Sequence, residues 1–405
     1  MTKAIVIGGG IAGCSTAFSL AQRGVAVTLL ERHADIALEA SGNPLAMLYP
    51  KLSVKPNLQS MITLHGFHFT LNLLQKLENN TRFFNACGQL QLAFNAAGKA
   101  KQDRLWQDEY FHKNKQFFQF VNCLEASEIA GIALKTGGIF LPQAGWVNPR
   151  LLCATLSKHA LIKVQTATNV ISIAPCQNGW QVQLSNGKIE ADNVVICNAN
   201  DVKQFGFCAS AKITPVRGQL EFFAPNNISK NLKTIICSDH YLSPAVAGLH
   251  SLGTTYAPND MRNEICAADT QSNLNALGKI SPEILHVIDI NSVSSRVAFR
   301  SQTLDYRPLA GQLLDEEKLR KNPPRYNISH ADLPWLHGLY LNAGHGSKGM
   351  ITAPICGELI ANLITKNQVT HNSLPIDANL ASSINPSRFL LRELGLKQLA
   401  ASLII

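Results

Sequence analysis

Gly8, Gly10 and Gly13, in the run Ile7-Gly-Gly-Gly-Ile-Ala-Gly13, and Glu31 further on are the first residues whose types and spacing suggest chemistry. Glycines in a G-x-G-x-x-G spacing let a chain turn tightly, bring backbone amides against a pyrophosphate, and pack a helix closely on a strand. An acid some way along accepts hydrogen bonds from ribose hydroxyls and repels a 2′-phosphate, which favours FAD or NAD over NADP. The positioning elements are legible as well. An apolar strand starts at Ala4, a small-residue helix covers 14–23, and a second strand covers 25–31. Strand, helix and acid stand where a dinucleotide site needs them, which separates this motif from an incidental glycine turn.

A chain of 405 residues, 46% of them hydrophobic, can bury a large core and is expected to form two lobes. The glycine unit begins too early to leave room for a targeting peptide, and no apolar run is long enough to span a bilayer. A cytoplasmic protein without membrane association is therefore expected. The ten cysteines are scattered, without a C-x-x-C pair or a Cys/His cluster at metal spacing, and read as reduced, with no metal. A net charge of +9 favours a polyanionic partner such as RNA. Its sources include Lys99, Lys101 and Arg104; Lys113 and Lys115; Lys318, Arg320, Lys321 and Arg325; and Arg388, Arg392 and Lys397. Phe111, Phe117, Phe118 and Phe120 read as core.

Residues 40–53 are small, polar and turn-rich, suited to lie along a planar ring. Helical spacing of apolar residues covers 59–77, a strand covers 88–94, and a polar helix is expected over 99–120. Asn148 and Pro149 mark a helix start. Three strands over 164–173, 180–184 and 189–197, joined by Asn-Gly turns, predict a β-meander whose last strand points at a cofactor. Mixed β structure from 213 to about 299 suggests a second lobe, and a helix over 353–364 follows a glycine-rich turn. The fold class is therefore α/β: a Rossmann-like cofactor domain assembled from 1–80, 150–214 and 296–405, with a sheet-based substrate domain, α+β in character, from 81–149 and 215–295.

These features together resemble the glycine oxidase and D-amino-acid oxidase class of FAD enzymes. More narrowly, Ala40-Ser-Gly-Asn-Pro44, Leu48-Tyr-Pro50, Leu52-Ser53, Pro215-Val-Arg-Gly-Gln219 and Gly344-His-Gly-Ser-Lys-Gly349 resemble the FAD-dependent half of the bacterial bifunctional enzymes that make 5-methylaminomethyl-2-thiouridine at the tRNA wobble position. The resemblance implies FAD as cofactor, a modified tRNA nucleoside as substrate, and oxidative removal of the carboxymethyl group of 5-carboxymethylaminomethyluridine. A methyltransferase half is absent from these residues, so the downstream methylation would belong to another domain or protein. A small-molecule amine or amino-acid oxidase on the same fold is the alternative.

Residue by residue, the resemblance implies that Arg300 binds the substrate carboxylate through its guanidinium fork, with Arg217 and Arg307 as weaker candidates. Lys348 would stabilise negative charge on the reduced flavin. The cofactor would be held by Gly8, Gly10, Ile11, Ala12, Gly13, Glu31 and Arg32 at its ADP end, with Val170, Asn198 and Ala199 beside them. Ala40, Ser41, Gly42, Asn43, Leu48 and Tyr49 would lie along the ribityl chain and ring, and Gly344, Gly346, Ser347, Lys348, Gly349 and Met350 would cradle the ring from the late turn. His345 is read as positional.

Overall fold

The computed structural model describes residues 1–77, 83–109, 111, 116–325, 328–365 and 376–403; Lys113 and Lys115 lie outside them. Strand β1 (Lys3–Ile7) leads through the glycine turn into helix α1 (Ile11–Ala21) and back through β2 (Ala26–Leu30). The other elements that bear on the site are α2 (Leu58–Leu77), β3 (Ile162–Gln165), β4 (Asn193–Ile196), β5 (Ile213–Phe223), β6 (Ser294–Thr303), β7 (Leu309–Leu314), β8 (Trp335–Ala343) and α3 (Gly349–Ile364). The first sheet runs β7-β8-β4-β1-β2-β3, and every neighbouring pair is parallel except β7 with β8.

Alternation along β1 shows how the layers are built. Ala4 and Val6 pack with the helices on one face, while Ile5 and Ile7 pack with Trp180 and Val182 of the meander on the other. A strand covered on both sides has no polar face, which is why it reads as a continuous apolar run. The helix layer is close-packed through missing side chains. A Cβ at Gly66 of α2 would stand 2.2 Å from the Ile351 carbonyl oxygen of α3, and one at Gly357 of α3 would stand 2.9 Å from the Thr16 nitrogen of α1.

The meander consists of Val170–Cys176, Gly179–Leu184 and Gly187–Ala191. It differs from expectation at both ends. Val164 lies in β3, and Asn193–Ile196 leaves the meander to become a parallel strand beside β1. The polar helix expected to reach Phe120 ends at Trp106, and Gln119–Val121 is a strand. Phe118 is nonetheless buried with Phe111, and Phe117 and Phe120 pack against them.

A second, nine-stranded sheet is organised around β5 and β6, which pair antiparallel from Ile213 with Thr303 to Phe222 with Ser294. The boundaries expected at 215 and 295 therefore fall inside strands: β5 and β6 belong to the second sheet over their whole length, because their ladder is unbroken. All ten cysteines are free, and among the described residues no helix is long and apolar enough to cross a membrane.

The basic clusters differ in kind. Arg388 is fully buried against Asp305, so it is structural rather than a surface charge. Lys318, Lys321 and Arg320 pair with Asp315, Glu317 and Glu393, and Arg392 pairs with Asp305. Lys99, Lys101 and Arg104, on the helix Ala96–Trp106, have no ion pair among the described residues.

Candidate functional site

Gly8 has φ +109°, and a Cβ there would stand 2.7 Å from the Cys197 carbonyl oxygen at the end of β4. At Gly13 the added carbon would be only 1.8 Å from the Gly8 carbonyl oxygen. These glycines let β1, β4 and α1 converge so that the first amides of α1 face a cleft, an arrangement that favours bound negative charge. Glu31, buried at the end of β2, accepts hydrogen bonds from the backbone N–H groups of Gly9 and His33, both at 2.8 Å. A carboxylate has lone pairs for more than two donors, so capacity remains for ligand hydroxyls. Arg32 sits at the rim, paired with Glu39 and Asp201.

The cleft has a volume of about 580 Å³, within the range of a cofactor pocket. Gly8, Gly10, Ile11, Ala12, Glu31, Arg32, Val170, Asn198 and Ala199 line the end beside the glycine turn. Ala40, Ser41, Asn43 and Tyr49, and Gly344, Gly346, Ser347, Gly349 and Met350, line it further along. Four expected contacts do not line the cleft: Gly13, Leu48, Gly42 and, from the late turn, Lys348. Gly13 acts from behind, as a packing residue. Leu48 is fully buried in the helix-side core, against which Ala46 also packs on the same strand face, whereas Met47 points to the other face; Ala46 and Met47 line the cleft and Leu48 does not. Gly42 stands behind the loop, where a Cβ would meet Arg296 and the Ala37 carbonyl oxygen, each at 2.7 Å.

Ser41 accepts a hydrogen bond from the Ile11 N–H at 3.0 Å. That seats it at the N-terminus of α1, the phosphate end, rather than along the ring. Its loop is clamped by Arg296, which donates to the Leu38 and Glu39 carbonyls at 2.9 and 2.8 Å and to the Asn43 side chain. Sequence reading missed Arg296, since its partners lie more than 250 positions away.

Across the cleft stands the β5–β6 pair. Arg300 faces the cleft, packed around by the second sheet, and donates only to the Thr254 hydroxyl at 3.1 Å and, at 3.3 and 3.4 Å, to the Thr255 carbonyl. No carboxylate among the described residues pairs with it. Burial lowers its pKa, partly offset by the nearby Tyr241, Tyr256 and Tyr49; a guanidinium nevertheless remains charged. The two weaker candidates are engaged elsewhere. Arg217 is buried against Asp269 and donates to the carbonyls of Arg262 and Glu264 at 2.8 and 2.6 Å, and Arg307 pairs with Asp305 at 2.7 Å. Gly218 makes room for Arg300: a Cβ there would stand 2.7 and 2.8 Å from its guanidinium nitrogens. His240 and Tyr241 also line this end, and both ring nitrogens of His240 are buried without a hydrogen-bond partner.

Lys348 departs from expectation. Its neighbours Ser347 and Gly349 line the cleft, but its ammonium turns onto Tyr49, 3.1 Å from the ring centroid and 3.2 Å from the carbonyl oxygen. The preceding glycines aim the backbone at the cleft, while the aromatic face captures the cation. Burial drops its pKa to about 7. His345 binds the Thr352 hydroxyl at 2.9 Å, and burial pushes its pKa down to about 3, so it is neutral and positional.

The model of the DAO family of FAD-dependent oxidoreductases matches residues 3–363. The chain belongs to that family. The tRNA 5-methylaminomethyl-2-thiouridine biosynthesis bifunctional protein MnmC of Methylobacillus flagellatus is 38% identical over 403 residues, covering 99% of this chain and 61% of that protein. The protein of the same name from Ectopseudomonas mendocina is 37% identical, covering 97% and 60%. The chain thus spans about three fifths of these relatives' length. Among solved structures, glycine oxidase from Geobacillus kaustophilus superposes with a TM-score of 0.74 at 21% identity, over 93% of this chain and 98% of that one. L-proline dehydrogenase from P. horikoshii gives 0.75 at 20%, over 97% and 98%. Both share the fold. The cleft of this DAO-family chain suits FAD on its own features: the glycine cradle, the open helix N-terminus, Glu31, and a buried Asn198 side-chain oxygen without a partner.

Proposed function

We propose that this chain oxidises the 5-carboxymethylaminomethyl side chain of wobble (2-thio)uridine in tRNA, removing the carboxymethyl group and leaving 5-aminomethyl-(2-thio)uridine. The observation that carries this reading is Arg300, a cation held in the cleft with no carboxylate partner among the described residues. A ligand that brings a carboxylate beside an oxidisable amine supplies the missing partner. The names of the curated relatives point to a tRNA wobble nucleoside as the bearer of that group.

Arg300 holds the substrate carboxylate through its fork, fixing the carbon between carboxylate and amine toward the cofactor. Glu31 and the first amides of α1 would hold the ribose and pyrophosphate of FAD, with the Ser41 hydroxyl free to donate beside them. Arg296 keeps the 38–43 loop against it. Held there, FAD would supply the hydride acceptor, with an acceptor such as dioxygen taking up the two electrons. Loss of hydride from the carbon and a proton from the nitrogen leaves an imine on the substrate. Water adds to it, and the C–N bond breaks to give glyoxylate and the primary amine. That amine is the substrate required by a methyltransferase acting next, in another domain or protein.

Nucleoside analysis tests the reading. Purified holoenzyme is incubated with tRNA carrying 5-carboxymethylaminomethyluridine, and the expected outcome is its replacement by 5-aminomethyluridine with stoichiometric glyoxylate. Persistence of that nucleoside while free glycine or sarcosine is oxidised would mean a small-molecule amine oxidase.

A further inference from the structure

Tyr256 lines the cleft near Arg300, whose guanidinium lies 6.0 Å from the ring centroid, yet its side of the mouth is open and the residue is 51% exposed. Its side chain meets Tyr306, which is 58% exposed. Tyr306 occupies the β6–β7 turn with φ +60°, a backbone conformation that bulky residues avoid. The turn is held firmly around it. Asp305 binds Arg307 and Arg388, Arg388 donates to the Arg307 carbonyl at 2.9 Å, and Thr303 donates to the same oxygen. A rigid, well-anchored turn thus presents a large ring to solvent in a conformation a smaller residue would adopt more readily. Strain retained at an exposed aromatic is the pattern of a functional position.

The adjoining rim is positive. Lys51 follows Tyr49 on the cleft loop and hydrogen-bonds Gln59, whose amide reaches the Tyr306 carbonyl. Lys101, which has no ion pair among the described residues, lies close enough to disfavour the charge on Lys51. The same helix touches the cleft wall, where Gln102 donates to the carbonyl of the cleft-lining Gln91.

We propose that Tyr256 and Tyr306 form a stacking platform for a nucleobase of the substrate RNA at the mouth of the cleft, with Lys51 and Lys101 taking its phosphates. This rests on the tRNA reading above. Aromatic faces beside unpaired lysines are the chemistry that holds unstacked bases, and a free amino acid would use neither. A nucleotide carrying its side chain to Arg300 must leave its neighbours' stack, and the tyrosines replace that stacking.

The experiment uses FAD-loaded full chain and an anticodon stem-loop RNA with 2-aminopurine beside the wobble nucleotide. Binding to the wild type should quench its fluorescence. Tyr306→Asn keeps a residue that accepts positive φ and so removes the ring without straining the backbone; it should lose most of the quench and weaken RNA affinity roughly fivefold to 100-fold. Tyr256→Leu should do likewise, and Tyr306→Phe should restore both. Lys51→Gln with Lys101→Gln should flatten the salt dependence of binding. Quenching and affinity equal to wild type in Tyr306→Asn and Tyr256→Leu would overturn the platform, as would wild-type binding without any quench, even if the tRNA were converted. Failure to convert modified tRNA despite normal quenching would instead sink the reaction proposed above and leave the stacking surface standing.

Discussion

Arg217 and Arg300 lie on the same pair of strands and have opposite fates. The register sets Arg217 opposite Phe299 and Val216 opposite Arg300, so the two arginines emerge on opposite faces. On one face Arg217, Gln219 and Glu221 form a buried network with Asp269, Thr270 and Asn273 of the helix Ala267–Ile280. On the other, Gly218 and Leu220 leave space for a guanidinium with only a hydroxyl and a carbonyl for company. A cation satisfied within the fold holds structure together. One left unsatisfied in a cleft is held ready for a ligand, and buried charge without a partner is costly enough to need a reason.

Substitutions can break this comparison. Arg217→Met strips a buried donor set and leaves Asp269 unpaired, so the chain should lose about 3–5 kcal/mol of stability in chemical denaturation. Arg300→Met should do the reverse: stability equal to or above wild type, FAD retained in the visible spectrum, and kcat/KM lowered roughly 100- to 1,000-fold, on the order of the 3–4 kcal/mol lost with one charge-assisted fork. If both variants behaved alike, the two faces would not differ as described. Gly218→Ala sharpens the contrast by pushing Arg300 out of place, since the new carbon would crowd its nitrogens and the Thr254 hydroxyl. It should raise KM about tenfold, as expected for a misplaced binding group, with little change in unfolding. Lys348 gives an effect that depends on pH. Its value of about 7 lies below the ordinary 10.5, so folding penalises the charged form. The penalty is full below pH 7 and fades as pH rises toward 10.5. Wild type should therefore gain stability relative to Lys348→Met over that window, and a pH-independent difference in denaturation free energy would refute the buried-lysine assignment.

The cofactor end was legible because its chemistry is local: Gly8, Gly13 and Glu31 are decoded by a single βαβ unit. The substrate end was not. Arg300 is singled out over Arg217 and Arg307 by resemblance alone, and the reason Arg217 is engaged lies in long-range pairs that no local pattern carries. Nothing local to Gly218 marks its role, because that role depends on a strand some eighty residues away. Ser41 and Arg296 belong to one loop clamp whose members are far apart in the chain, so nothing in the 40–53 segment marked the seat of Ser41 at the helix start. Lys348 was placed by its turn, whereas its side chain follows the aromatic face of Tyr49.

The order β8-β4-β1 has a consequence for how the protein is made. Of this sheet's strands, β1 and β2 are synthesised before β4, and β4 keeps a bare hydrogen-bonding edge until β8 is synthesised about 140 residues later. During that interval an apolar strand stands open to any other extended chain, a setting in which intermolecular pairing competes with folding. The sheet that the glycine turn opens is therefore closed only once β8 has been made. A chain stalled or cut before Trp335 would present the dinucleotide motif intact on an unfinished, aggregation-prone sheet.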